Sequence, residues 1–418
     1  MTRWLYSLLL YALVPYALAH LVYRARRQPL YLHHMQERFG YYRTEAPRDV
    51  LWLHAVSVGE VRAAQPLVEA LQERYPKYKI LITYMTPTGR ETGAALYGNS
   101  VIHAYLAYDL PGAVQRFLQY FKPKLGLLVE TEIWPNLIHQ CKQRGIPLLL
   151  VNARLSEKSQ KKYGRFPKFT RQCLRGFRAI AAQTEQDRAR FLALGAGQVS
   201  VMGNLKFDIL PSSALLTMGQ AWRQQWGSAR PVLLAASTRE GEEALILAGL
   251  PSLQVPDLLL LLVPRHPQRF TEVEGQLQTL GIPYQRRSLS TAVTEETKVL
   301  LGDSLGEMPA YYSACDLAFI GGSLLPYGGQ NLIEACAAGK PILLGPHTYN
   351  FEQAARDAIT SGAALRVANV EELMNQAKKL LADTAQLSLM EDAALRFADR
   401  YRGATDQLIN ILKPYVSA

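Results

Sequence analysis

A chain of 418 residues, 49% hydrophobic and 19% charged, is too long for one ordinary core and too apolar to be disordered, so it reads as two globular domains. Its net charge of +11 points to an anionic partner: nucleic acid, a membrane surface or a phosphorylated substrate. The four cysteines, Cys141, Cys173, Cys315 and Cys336, form no C-x-x-C pair, and the chain has no H-E-x-x-H, D-x-D or P-loop lysine motif, so neither a disulfide framework nor a protein-held metal is called for.

The chain opens on "WLYSLLLYALVPYALAHLVY", Trp4 to Tyr23, which carries no formal charge and is long enough to cross a bilayer core. The basic run "RARR", Arg24 to Arg27, follows it, and no small-residue cleavage pattern does. A retained membrane anchor is predicted, with the rest of the chain on the cytoplasmic side, where positive charge accumulates. Pro15 and His20 leave a helix lying in the surface as the alternative.

Apolar runs then alternate with amphipathic stretches. Strands are predicted at Val50–Val56, Lys79–Tyr84, Val101–Tyr105, Lys124–Val129, Pro147–Val151 and Arg178–Ala182, with helical patterns such as "PGAVQRFLQYF" between them. The pattern loosens through residues 204–229. It resumes at "PVLLAAS", "DLLLLLVP", "KVLLGD", "DLAFIGGS" and "KPILLGP", and closes on helical segments from Val370. Two doubly wound α/β halves imply a cleft, with ligands at the carboxyl ends of the strands.

Glu60 sits where the first strand turns into a helix, in "HAVSVGE". Gly59 frees the backbone to bend, and the helix dipole favours an ionised carboxylate there, so Glu60 is a candidate general base; the plainer reading is a helix-terminal charge. Glu130 and Glu132, in "ETEIWPN", end another apolar strand, where two carboxylates can orient sugar hydroxyls or support a cationic transition state. In "FIGGSLLPYGGQNLIEACAAGKP", glycines lead into a helix expected near Asn331, a pattern suited to a phosphate, with Glu334 placed to accept from ribose hydroxyls. Arg265 and His266 follow a strand; Gly306, Glu307 and Met308 form a strand-to-helix turn; Lys206 in "GNLKFD" can reach a phosphate or carboxylate. Each has a bland alternative, and their shared place at strand ends raises the functional one.

With these residues in view, the chain resembles the bacterial 3-deoxy-D-manno-octulosonic acid (Kdo) transferases, along nearly its whole length. The motifs are "HAVSVGE", "ETEIWPN", "NARLSEKS", "GNLKFD", "PRHPQRF", "GDSLGEM" and "GPHTYNF". The resemblance implies an α/β GT-B fold: two Rossmann-like doubly wound domains facing a cleft, plus an N-terminal membrane-anchor helix. It implies an anchor over residues 1–27, an acceptor-binding domain over 28–210, a linker over 211–229, a CMP-Kdo-binding domain over 230–395 and a helical tail over 396–418. The implied reaction moves Kdo, with inversion, from CMP-Kdo to a lipid A precursor at the cytoplasmic face of the inner membrane. No catalytic metal and no nucleic acid are implied. Glu60 would be the base, and Glu130 and Lys206 would stabilise the transition state. CMP contacts would come from Pro264, Arg265 and His266, from Gly306, Glu307 and Met308, and from Asn331, Leu332, Ile333 and Glu334. Gln330 stands where the family often has His, which weakens the case for a side-chain contact there. The rivals are another GT-B enzyme, such as a lipid-disaccharide synthase or a sugar-nucleotide epimerase, and a non-catalytic membrane-anchored nucleotide-binding protein.

Residues Arg154 to Arg178 are dense in Lys and Arg, interleaved with Tyr163, Phe166 and Phe169. That composition suits an anionic lipid surface or the phosphates of a lipid A precursor, and would also suit RNA; a solvated helix face is the plain alternative, and the anchor favours lipid.

Overall fold

Two parallel seven-stranded sheets carry the chain. The computed structural model describes residues 2–26, 28–43, 47–209 and 211–416; Arg27 and Leu210, at two of the expected boundaries, lie outside the described residues. One compact unit spans residues 1–209 and 402–418, the other 210–401.

The first sheet has the order β3-β2-β1-β4-β5-β6-β7. Its strands are β1 (Val50–His54), β2 (Lys79–Tyr84), β3 (Ile102–Tyr105), β4 (Leu125–Val129), β5 (Leu148–Ala153), β6 (Ala179–Ala182) and β7 (Val199–Val201). β1, β4 and β5 are buried along their whole length, as their uninterrupted apolar sequences require when helices cover both faces. Gly126 lets β4 pass close to its neighbours: a Cβ there would lie 2.7 Å from Leu148 Cδ1 and 2.8 Å from Trp52 Cε3. The helix Ala404–Val416 belongs to this unit, burying Leu408, Ile409 and Leu412 with Leu51, Leu127 and Leu205. Asp208 fixes its start, accepting from the backbone N–H groups of Gly403 (2.7 Å) and Thr405 (2.5 Å).

The N-terminal helix, Arg3–Ala25, is the one described helix long and apolar enough to cross a membrane. It is also docked on the first unit. Ser7 Oγ donates to Asn136 Oδ1 (3.1 Å), Leu10 and Val14 pack on the core, and Leu21 and Ala25 cluster with Tyr31. An apolar face is turned outward, with Trp4, Leu8 and Tyr16 at 77%, 67% and 68% exposure.

The second sheet has the order β10-β11-β9-β8-β12-β13-β14. Its strands are β8 (Val232–Thr238), β9 (Leu259–Pro264), β10 (Tyr284–Arg286), β11 (Val299–Leu301), β12 (Leu317–Ile320), β13 (Ile342–Leu344) and β14 (Ala364–Arg366). The segment 211–229 holds a helix, Ser213–Trp226, which packs within this unit through Trp222 against Tyr311 (ring centroids 5.3 Å) and through Gly219 against Ala310. Of the stretch 396–418, residues to Tyr401 continue the helix Thr384–Tyr401 of this unit, and the remainder returns to the first. The four cysteines are free and buried, as their apolar settings suggest.

Candidate active site

In each sheet the strand order reverses beside the first strand of its unit, between β1 and β4 and between β8 and β12. A reversal splays the connections apart at the carboxyl ends of those strands and opens a crevice there. Glu60 and Glu130 follow β1 and β4, and Asn331 to Glu334 follow β12, at these two points, whereas Lys206, Arg265 and Gly306 follow β7, β9 and β11 farther along the sheets.

In the first unit, Ser57 caps the short helix Val58–Ala63 and Glu60 occupies its first turn. Both carboxylate oxygens of Glu60 are engaged: Oε2 accepts from the Val56 N–H (2.8 Å) and Oε1 from Ser57 Oγ (2.8 Å). Burial outweighs these bonds and raises its pKa. Glu130 adds to the rise, and Lys206 opposes it. The helix dipole therefore does not hold Glu60 low, since six residues make a small dipole and desolvation is the larger effect. Gly59 has no left-handed backbone either; a Cβ there meets nothing nearer than Ser57 Oγ at 3.9 Å, so its service is open space beside Glu60 rather than a bend.

Glu130 leaves β4 in the left-handed region, with φ of 63°, an unfavourable conformation for Glu. Lys206 Nζ lies 3.2 Å from its Oε1. Lys206 comes from the turn after β7, which Asn204 shapes by accepting from the Lys206 N–H (3.0 Å). The structure thus brings Glu60, Glu130 and Lys206 to one end of one sheet. Glu132 joins them: Trp134 Nε1 donates to its Oε2 (2.6 Å), and burial first, then the charges of Glu60 and Glu130, push its pKa to about 7.

In the second unit, Arg265 follows β9, and its backbone N–H donates to the Thr238 carbonyl (3.0 Å), so its side chain stands exposed beside the end of β8. Pro264 is buried, His266 half-buried. Gly306 has φ of 84° and open space around it, leaving the backbone of Gly306, Glu307 and Met308 approachable. The Glu307 side chain itself is taken, by Arg287 Nη2 (3.0 Å) and Ser304 Oγ (2.5 Å). Asn331 Nδ2 donates to Glu334 Oε1 (2.9 Å), and the Ile333 N–H donates to Asn331 Oδ1 (3.1 Å). Glu334 is reachable from solvent yet enclosed, and this partial desolvation raises its pKa, opposed by Asn331 and Arg265. Leu332 and Ile333 point into the core, so they offer backbone only.

The glycine-rich loop differs from its sequence reading. The helix begins at Ile333 and is five residues long, and the Gly329 and Gln330 N–H groups donate to the Gly322 (2.6 Å) and Gly321 (3.0 Å) carbonyls. Those amides hold the loop together rather than cradling an anion. Its glycines are nonetheless required: Gly328 has φ of 89°, and a Cβ would fall 2.5 Å from Asn350 Nδ2.

Two residues went unread in the sequence. Arg239 follows β8 and stacks on Tyr327 (4.5 Å), with its buried Nε lacking a hydrogen-bond partner among the described residues. His54, at the end of β1, is fully buried. A single Arg in "STREGEE" and a single His in "LWLHAV" carry no spacing signal.

Carboxylates with a lysine thus gather at one end of the first sheet, and an exposed arginine with an approachable backbone stands at strand ends of the second. The fold is shared with Anabaena HepE in complex with UDP (TM-score 0.60, 16% identity, 88% of this chain and 100% of that one). It is shared equally with a UDP-N-acetylglucosamine 2-epimerase (TM-score 0.58, 16% identity, 89% and 98%). Residues 33–209 match the 3-deoxy-D-manno-octulosonic-acid transferase (kdotransferase) family and residues 257–396 the group 1 glycosyl transferases. The chain is 44% identical to the 3-deoxy-D-manno-octulosonic acid transferase of Bordetella pertussis over 100% of both chains, and 38% identical to that of Haemophilus influenzae over 100% of this chain and 99% of that one. It belongs to the Kdo transferase family.

Proposed function

We propose that the enzyme transfers Kdo from CMP-Kdo to a lipid A precursor by direct displacement, with Glu60 as the base. The observation that carries this reading is the grouping of Glu60, Glu130 and Lys206 at the switch point of the first sheet in a chain of this family. The acceptor hydroxyl gives its proton to Glu60 as its oxygen bonds the anomeric carbon of Kdo from the face opposite the phosphate. The bond from that carbon to the phosphate oxygen breaks, and CMP leaves with the electron pair. Positive charge grows on the sugar in the transition state, where the Glu130 carboxylate favours it; Lys206 answers the anionic partners. Arg265, the backbone of Gly306 to Met308, and the Asn331–Glu334 pair are the donor contacts of this reading.

The acceptor side fits the first unit. Arg3, His139, Lys142, Phe169 and Gln172 line a cavity of about 430 Å³ beside the N-terminal helix, and Lys158, Lys161, Lys162 and Arg165 continue the basic surface. Cations interleaved with aromatics suit phosphates on a lipid, and the outward apolar face of the N-terminal helix suits the cytoplasmic leaflet of the inner membrane.

The test is mass spectrometry of the products formed from CMP-Kdo and an acylated, phosphorylated glucosamine disaccharide. Addition of Kdo with release of CMP supports the reading. Turnover of a UDP-sugar instead, or binding of CMP-Kdo without release of CMP, overturns it.

A further inference from the structure

His54 is fully buried at the end of β1, and its Nδ1 lies 3.0 Å from the Thr83 carbonyl oxygen and 2.9 Å from Thr83 Oγ1. The Thr83 carbonyl oxygen only accepts, and Thr83 Oγ1 donates to the Leu53 carbonyl oxygen (3.4 Å), so the network assigns the proton to Nδ1 and leaves a lone pair on Nε2. That Nε2 is buried with no hydrogen-bond partner among the described residues. The acidic oxygen it faces is Glu132 Oε2, at 3.9 Å, and the same oxygen accepts from Trp134 Nε1 at 2.6 Å. An ionised carboxylate would satisfy Trp134 and set negative charge against the imidazole lone pair. A protonated Oε2 satisfies both: it accepts from the indole and donates to the imidazole after a carboxyl movement of about 1 Å.

We propose that Glu132 is a positioning residue of the transfer reaction, holding a proton against His54 Nε2 so that Glu60 is left as the free carboxylate base at the end of the sheet. This rests on the reading of Glu60 as the base. The groups facing Glu132 are His54 on β1, Glu60 on the helix Val58–Ala63, Glu130 on its own loop with Lys206 paired to it, and Tyr163 on the helix Glu157–Gly164. Lys206, beside these three carboxyls, is paired with Glu130. Two further anions side by side in a partly buried edge are costly, so one keeps its proton; the lone pair of His54 decides which. Burial and its acidic neighbours bring Glu132 to about 7, so the proton is held below that pH, half lost at it and gone well above it. Ionised Glu132 would add an anion beside the reacting centre of a donor that already carries a phosphate and a carboxylate.

The experiment is kcat/KM against pH for the full-length enzyme and for Glu132→Gln. The introduced amide would stay neutral, accept from Trp134 and donate to His54, reproducing the protonated pattern. Wild-type activity is expected to fall above pH 7, and in E132Q the ratio of the rate at pH 8.5 to that at pH 6 rises about tenfold or more, because that titration is gone. The same ratio in both enzymes overturns the proposal, and so does a wild-type profile with no fall above pH 7. Carboxyl carbon resonances of ¹³C-Glu-labelled enzyme give an independent reading: one Glu titrating near 7 and missing from E132Q supports the proposal, and its absence from the wild type overturns it, whether or not the variant folds well enough to assay. Glu60→Gln keeps the two readings apart. Full turnover in E60Q would sink Glu60 as the base, while the resonance near 7 would still report where the Glu132 proton resides.

Discussion

Lys206 Nζ meets Glu130 Oε1 at 3.2 Å across 76 residues of sequence, and both bear on Glu60 with opposite signs. Glu130 raises the pKa of Glu60 and Lys206 lowers it. On the proposed reading Glu60 is the base, and a base works only when ionised, so the acid limb of kcat/KM should follow Glu60. Lys206→Met should move that limb to higher pH, and Glu130→Gln should move it to lower pH. The half-exposed pair is screened by water, so neither change should cost more than about 1 kcal/mol of stability. Shifts in the same direction would mean that the limb belongs to another group.

Glu60→Gln keeps the acceptor of the Val56 N–H and loses the basicity. Turnover at saturating substrates should fall about 10²–10⁴-fold, with CMP affinity unchanged. Ser57→Ala is the milder probe. It removes the hydrogen bond that lowers the pKa of Glu60 and also the helix cap, so the acid limb should rise in pH and stability should drop by about 1 kcal/mol. Normal turnover in E60Q would reduce Glu60 to a structural cap.

The sheets were legible because buried parallel strands read as uninterrupted apolar runs: β1, β2, β4 and β5 fall within a residue or two of their expected limits. The strands that escaped, β7, β10 and β14, are edges of three residues, part exposed and mixed in composition, so they lack the run. The site was legible as positions and illegible as environments. A carboxylate after a strand is visible in "SVGE", whereas the burial that overrides the helix dipole depends on residues far along the chain. The glycine loop is another such case. Its amides look free in sequence, and the structure closes those of Gly329 and Gln330 on the Gly322 and Gly321 carbonyls. His54 shows nothing until Thr83 fixes its proton and Glu132 faces its lone pair.

Asp109 is buried and accepts from the Asn136 (3.0 Å) and Leu137 (2.8 Å) N–H groups at the start of the helix Pro135–Gln143. Burial pushes its pKa up to about 7, beyond what those bonds offset. With the folded value above the unfolded one, its contribution is fully present below about pH 4 and lost as pH rises towards 7. Asp109→Asn should therefore flatten the fall in melting temperature between pH 5 and pH 7.5, and at pH 5 should destabilise by about 1–3 kcal/mol through the lost acceptor. An unchanged slope would assign that dependence elsewhere.

Arg265 and Arg239 follow the adjacent strands β9 and β8. Arg265 lowers the pKa of Glu334, so Arg265→Ala should raise it as well as weaken CMP binding, by about tenfold for a lost charged contact. Arg239→Gln leaves the Arg265–Glu334 relationship intact. If its buried Nε, without a hydrogen-bond partner among the described residues, serves an anion of the donor, R239Q should also weaken donor binding without that effect on Glu334. Titration calorimetry with CMP, repeated across pH, separates the two; unchanged affinity in both variants would remove the strand-end arginines from the donor site.

The N-terminal helix makes two separable predictions, because its two faces do different work. Leu8 and Leu13 face outward, at 67% and 54% exposure, and touch none of the core clusters. Asn136 is fully buried, and its amide links Ser7 and Arg3 of the helix to Asp109. Leu8→Glu and Leu13→Glu should each weaken binding to anionic vesicles, by roughly the 1.5–3 kcal/mol of a buried Leu, while melting temperature and CMP affinity hold. Asn136→Ala should do the reverse, lowering the melting temperature through unpaired groups around Asp109 while the outward apolar face is untouched. Deleting residues 1–23 combines both losses, since it strips the outward apolar residues and uncovers Asn136. The point variants are therefore the cleaner test of a membrane role, and vesicle binding that survives L8E and L13E together would assign attachment to the basic surface around Lys158, Lys161 and Lys162 instead.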